Sequence, residues 1–132
     1  MDNHLDNCPH RGPALPPNPK QAYGDKKVPL QLIPATSLIH EAMALKEGAR
    51  KYNPFNWRRD PVEALTYVGA CLRHLLAWQD GQELDPETGN HHLGHAKACL
   101  GIILDAQATG NLIDNRPLKG KAAELLYDNQ SR

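Results

Sequence analysis

A chain of 132 residues has room for one domain with a single core, which excludes a second catalytic domain. Its 15 basic and 15 acidic side chains cancel, so no broad positive field holds a nucleic acid or an anionic membrane, and any bound phosphate must be met by local groups. Cys8, Cys71 and Cys99 lack C-x-x-C spacing, no charged-then-apolar leader is visible, and no apolar run nears the ~20 residues that span a bilayer; the chain reads as a cytoplasmic protein with reduced thiols.

Residues 1–23 carry Pro9, Pro13, Pro16, Pro17 and Pro19 among polar residues and are expected to form an extended Pro-rich arm, leaving 24–132 as the domain. Val28 to Pro34 resembles an extended stretch, and no other strand candidate exists. From Thr36 to Tyr52, Leu38, Ala42, Leu45, Ala49 and Tyr52 recur at helical spacing and predict a first helix with that stripe inward. Asn53-Pro54 breaks it. Asp60-Pro61-Val62-Glu63 reads as an N-cap, a first-turn proline and a capping-box acid, so a second helix is expected from Pro61 to about Asp80. Its stripe of Leu65, Val68, Leu72, Leu75 and Leu76, with Tyr67, Cys71 and Trp78 on another face, predicts the central helix. The turn-rich Asp85-Pro86-Glu87-Thr88-Gly89-Asn90 leads to a third helix over His91 to Ala108, with Leu93, Leu100, Ile103 and Leu104 facing the core, and a short fourth is expected over Gly120 to Tyr127. The fold class is all-α, a small bundle of about four helices.

His92 and His95 stand three apart, so on a helix they share a face, with Cys99 one turn on. Such a face can hold a metal or a phosphate; equally, the pair can cap the helix or bond a carbonyl. Asp85 and Glu87 lie in the loop feeding this helix, and Arg73-His74 interrupts an apolar helix where polar groups need partners. Glu41, beside the first helix's apolar stripe, either points into a groove or remains a surface acid. A hard divalent cation needs carboxylate oxygens, and mixed carboxylate and imidazole ligation leaves both Mg²⁺ and Mn²⁺ open. Lys51, Tyr52, Asn56, Trp57 and the arginines after it combine the cations, amides and rings that meet a triphosphate and stack a base, although a loop anchoring on a bundle uses the same residues. Lys26 and Lys27 are similar cases. His40-Glu41 lacks the second histidine of a zinc-protease helix, no His-Asp dipeptide or phosphate-binding G-x-x-x-x-G-K-[ST] loop occurs, and His4, Cys8 and His10 match no structural zinc spacing.

The blocks Gly24-Asp25-Lys26-Lys27-Val28-Pro29-Leu30, Gly48-Ala49-Arg50-Lys51-Tyr52 with Asn56-Trp57, Arg73-His74-Leu75 with Ala77-Trp78, Asp85-Pro86-Glu87-Thr88-Gly89, and His92-Leu93-Gly94-His95-Ala96, in this order, resemble the phage dATP/dGTP diphosphohydrolase family. That family is grouped with the MazG-like all-α pyrophosphatases, and it includes (deoxy)GTP diphosphohydrolases of phages that build 2-aminoadenine into DNA. The resemblance implies hydrolysis of a purine nucleoside triphosphate, dGTP or GTP before dATP, to the monophosphate and pyrophosphate, feeding phage nucleotide metabolism. MazG-like enzymes carry E-x-x-E and E-x-x-D on successive helices; here His92 to His95 stands in the E-x-x-D place and Cys71 to His74 in the other. Glu41, Asp85 and Glu87 are left as the carboxylate candidates, with Asp105 in reserve.

The expected site therefore has Glu41, His74, Asp85, Glu87, His92 and His95 around two or three Mg²⁺ or Mn²⁺ ions, with Glu41 and Arg73 as catalytic residues. Arg73, Lys51 and Lys27 would offset phosphate charge, while Tyr52, Asn56 and Trp57 would contact the nucleoside. Helices this few and short predict a homodimer or a dimer of dimers, with no nucleic-acid or membrane partner. The alternatives are an HD-like triphosphohydrolase and a non-catalytic nucleotide-binding module.

Overall fold

The computed structural model describes residues 16 and 18–128 of the chain, so most of the proline-rich arm, with His4, Cys8 and His10, lies outside the described residues. The chain divides into two compact units, residues 1–33 and 34–132. In the first, helix α1 (Pro19–Gly24) starts on Pro19, whose fixed φ suits a first helical turn, and the Asn18 carboxamide oxygen caps it by accepting from the Lys20 N–H at 2.9 Å. Val28 to Pro34, expected to be extended, instead closes a 3₁₀ turn over Leu30–Leu32.

The second unit is all-α. Its long helices are α2 (Ala35–Tyr52), α4 (Ala64–Gln79) and α5 (His92–Ala108), with short helices α3 (Asn56–Arg59) and α6 (Ala122–Asp128). The expected capping signal at Asp60 is overridden: Val62–Glu63 forms strand β1, parallel to β2 (Leu112–Ile113), and α4 begins three residues later than predicted. The cause is Asn111, whose side-chain Nδ2 donates to the carbonyls of Trp57 and Asp60 at 2.6 and 2.8 Å, while its own carbonyl accepts from the Val62 N–H at 3.0 Å. These bonds hold the segment extended and bury Val62 completely.

The central helix is α5 rather than α4, because α5 packs against both α2 and α4. Small residues make this possible. Gly94, Ala96, Ala98 and Ala106 are its buried positions besides His92, and Ala44 on α2 and Cys71 on α4 are buried as well. The leucine stripes expected inside are largely outside: Leu72 is 51% exposed, Leu100 49% and Leu104 67%, and Leu38 is also exposed. Helices that meet through Ala and Gly come close together, so polar groups between them can touch one another.

Candidate active site

The site grows from the start of α5. His91 caps the helix, its Nδ1 accepting from the Leu93 N–H at 3.0 Å, which fixes where His92 and His95 project. Gly94, between them, sits against α2: a Cβ there would lie 2.5 Å from the carbonyl oxygen of His40. Removing that atom is what lets the two helices close.

His92 is 4% exposed and fully hydrogen-bonded. The Gln82 carbonyl oxygen only accepts, so His92 donates from Nε2 at 2.7 Å; a neutral His92 then offers its Nδ1 lone pair to the Nδ1–H of His74, 2.9 Å away on α4. That chain leaves the Nε2 of His74 with a free lone pair, able to accept a hydrogen bond or to bind a metal. His95 stacks on His74 with ring centres 4.6 Å apart and 14° between planes, and its Nε2 lies 2.7 Å from the Thr88 hydroxyl.

Asp85 reaches this cluster from a tightly folded loop. Its Oδ1 accepts from the Glu87 N–H at 2.9 Å, its carbonyl accepts from Gly89 at 2.7 Å, and its own N–H donates to the Asn90 carbonyl at 2.8 Å. Gly89 takes φ +76°, a conformation that favours glycine. The second oxygen, Oδ2, stands 3.8 Å from His95 Nε2 and belongs to no turn. One ligand atom each from His74, Asp85 and His92 lie within 4.8 Å of one another. With both nitrogens of His92 hydrogen-bonded, the arrangement offers the free nitrogen of His74 and the Asp85 carboxylate, and His92 would join them as a ligand only by giving up its bond to His74; such a mixed set suits Mn²⁺, whereas Mg²⁺ would favour the oxygen alone.

Burial, reinforced by the nearby His95, lowers the pKa of His74; burial also lowers that of His95, against the pull of the Asp85 carboxylate. Both rings are thus held neutral, the form that binds a metal. With folded pKa values below the ordinary 6.5, the unfolded chain takes up protons first on acidification. Metal-free protein is therefore expected to lose stability as pH falls through and below 6.5 and to be insensitive to these two groups above it. Thermal unfolding midpoints at about pH 5.5 and pH 7.5 check this; equal midpoints in the presence of EDTA would contradict it.

A cavity of about 290 Å³ opens beside the cluster, walled by His74, Asp85, Glu87 and His95 and, from α2, by Glu47 and Lys51. Lys51 Nζ lies 3.8 Å from Glu87 at the rim. A second cavity of about 140 Å³ meets the first at Ala44, Gly48, Tyr52 and His95, which line both, and its remaining walls include Asn56, Trp57 and Tyr67. Trp57 is fixed there: its Nε1–H donates to Asp105 Oδ2 at 2.8 Å, and Arg58 forks onto the same carboxylate. Asp105, the reserve ligand of the sequence reading, thus anchors the loop.

The structure gathers His74, Asp85, Glu87, His92, His95, Lys51 and Tyr52, with Asn56 and Trp57 adjoining. It does not bring Glu41 to this cavity: Glu41 lines a separate one near Trp57 and Asp105, and pairs with Lys97 at 3.2 Å. Arg73 is exposed, its guanidinium lying near Gly69. Lys27 is exposed in the first unit. Sequence reasoning missed Glu47, Gln82 and Thr88. Glu47 shares the face of Ala44, Gly48 and Lys51, at spacings of three and four, a signal visible once small residues rather than leucines mark the inward face.

Among the described residues no helix is long and apolar enough to cross a membrane. No solved structure gives a significant match. A dATP/dGTP diphosphohydrolase from Salmonella phage PMBT28 is 35% identical over 95 residues, which cover 72% of this chain and 30% of that protein. The chain thus spans under a third of the length of the curated relative it matches. The profile described as dATP/dGTP diphosphohydrolase, N-terminal, matches residues 17–116, a span that contains every residue of both cavities. On that match the chain belongs to the dATP/dGTP diphosphohydrolase family.

Proposed function

We propose that this protein hydrolyses a purine deoxynucleoside triphosphate to the monophosphate and pyrophosphate with a divalent metal, Mn²⁺ or Mg²⁺. The observation that carries the reading is the convergence of His74, Asp85 and His92 within 4.8 Å, beside a cavity bearing a lysine. The printed activity of the phage relative supplies the substrate class. Guanine is favoured over adenine, and a role in phage nucleotide supply is expected, through the family resemblance.

Water adds to the α-phosphorus and the bond to the α,β-bridging oxygen breaks, so pyrophosphate leaves. A cation held by His74, Asp85 and His92 would neutralise charge on the phosphates and acidify a bound water. Lys51 exchanges its Glu87 partner for phosphate oxygens. Gln82 and Thr88 hold the rings of His92 and His95 in place. Arg73, which acts electrostatically on His74, is assigned to the outer phosphate charge. We assign the helix-α2 carboxylate of the site to Glu47, which lines the cavity and, although it pairs with Arg50, shares an electrostatic interaction with His95, in place of Glu41, which lines a separate cavity. Glu47→Gln is accordingly expected to lower turnover at least about tenfold and Glu41→Gln by less than about threefold, compared at saturating metal and substrate. The reverse ranking would return the role to Glu41.

We also assign a homodimer. Leu72 and Leu76 on α4 and Leu104 on α5 are 51, 62 and 67% exposed in the single chain, large apolar side chains that a second copy would cover. Light scattering coupled to gel filtration is expected to give twice the 14.6 kDa chain mass or a multiple of that dimer; a monomer at micromolar concentration would contradict it.

The reading is tested by stripping the protein with EDTA and assaying each dNTP and rNTP before and after adding back Mn²⁺ or Mg²⁺. Purine triphosphate hydrolysis should vanish and return. Hydrolysis indifferent to EDTA, or binding with no turnover under any metal, would overturn it.

A further inference from the structure

The smaller cavity has features that the metal-donor cavity lacks. Trp57 and Tyr67, absent from the other cavity, join Tyr52 and the aliphatic side chains of Leu45, Ala98 and Ile102 around about 140 Å³, a space for a flat ring rather than for a whole nucleotide. Trp57 cannot swing, because its indole N–H is tied to Asp105. A fixed indole plane is a stacking platform. Two polar groups in this cavity stand out against the satisfied network next door. Among the described residues, neither the half-buried Asn56 amide nor the half-buried Tyr67 hydroxyl has a hydrogen-bond partner. Burial raises the phenol pKa of Tyr67, so it stays protonated and able to donate. Half-buried polar groups left free in an aromatic cavity suit a ligand that is flat and carries donors and acceptors on its edge.

We infer that this cavity is the base subsite, that Asn56 reads the edge of the purine with help from Tyr67, and that rotation of the Asn56 amide lets one residue serve adenine and guanine alike. The inference rests on the neighbouring cavity being the triphosphate site, since Gly48, Tyr52 and His95 line both. A carboxamide presents a donor and an acceptor side by side, and a half-turn about its last bond exchanges them. Adenine offers its N6 amino group as donor with ring nitrogens as acceptors; guanine offers O6 and N7 as acceptors and its N2 amino group, beside N1–H, as donors. An amide can match either order. A carboxylate cannot: it only accepts, and guanine has two adjacent donors on one edge where adenine has one amino group.

The test uses the full chain carrying Trp78→Phe, which leaves Trp57 as the sole tryptophan. Trp57 fluorescence is titrated without metal against dGMP, dAMP, dCMP and dTMP, and the same preparations are assayed for dNTP hydrolysis with Mn²⁺. Both purine monophosphates are expected to quench Trp57, dGMP at least as tightly as dAMP, and the pyrimidines to bind at least about tenfold more weakly than either. Asn56→Asp is expected to raise the dAMP Kd relative to the dGMP Kd at least about tenfold, and Tyr67→Phe, which keeps the ring, to weaken both purines together. Equal effects of Asn56→Asp on the two purines, or pyrimidine binding as tight as purine binding, would overturn the inference. Should Asn56→Asp not fold, an unchanged Kd for both purines in Tyr67→Phe overturns it instead. Hydrolysis with an unselective Asn56→Asp sinks the base subsite and leaves the hydrolase reading standing, whereas selective quenching with no hydrolysis does the opposite.

Discussion

Asp85→Asn is expected to lower metal-dependent hydrolysis of dGTP at least about a hundredfold while leaving the fold intact, since loss of even an outer-sphere partner of a metal site costs about 10- to 100-fold. The separation of fold from function comes from the two oxygens of Asp85. Oδ1 accepts the Glu87 N–H that shapes the loop, and asparagine keeps that acceptor. Oδ2, the oxygen that faces His95 and the cluster, becomes an amide nitrogen that donates and carries no charge. Circular dichroism and the unfolding midpoint should therefore match wild type, while Mn²⁺ affinity measured by calorimetry collapses. Wild-type turnover in Asp85→Asn would remove the loop from the metal site.

Gly94→Ala should act through packing. The new Cβ would stand 2.5 Å from the His40 carbonyl oxygen and 2.9 Å from its carbon, and backbone atoms cannot step aside as a side-chain tip can. Alanine gains about 1 kcal/mol of helix propensity, but forcing α2 off α5 costs more, so a net loss of about 2 kcal/mol is expected. The consequence for the site is geometric: α2 carries Glu47 and Lys51, and α5 carries His92 and His95, so parting the helices opens the cavity between them. Denaturant unfolding measures the first effect and KM the second. A variant as stable as wild type would show that the contact is not a constraint. Gly101→Ala is the control, because there the close atom is the end of the Glu41 side chain, 2.8 Å away, which can rotate clear.

The helices were legible in the sequence because their periodicity and breaks are local. Tyr52 ends α2, and the Asp85 to Asn90 turn precedes α5, as the spacing predicts. What periodicity misjudged was which face is inside. Leu72, Leu100 and Leu104 outrank Ala96, Ala98 and Cys71 in hydrophobicity, yet the small residues are buried, since closeness of the helices rather than bulk organises this core. A stripe read from leucines drew attention to Glu41, beside it, rather than to Glu47, which shares the face of Ala44, Gly48 and Lys51. The strand at Val62 was hidden for another reason: its partner, Leu112, is 50 residues away, and Asn111, which holds it, carries no local signal of that role. The cluster itself was half legible. His92 and His95 share a helical face by spacing alone, but that His74 would bond His92, and that Asp85 would turn one oxygen into the loop and the other outward, depends on the packing of α4 against α5.

The most direct test of the central claim is the identity of the products. Purified protein is incubated with dGTP and Mn²⁺, and the mixture is resolved by ion-exchange chromatography. The expected products are dGMP and pyrophosphate in equal amounts, with no dGDP and no free nucleoside. Deoxyguanosine with tripolyphosphate, or dGDP with inorganic phosphate, would contradict it.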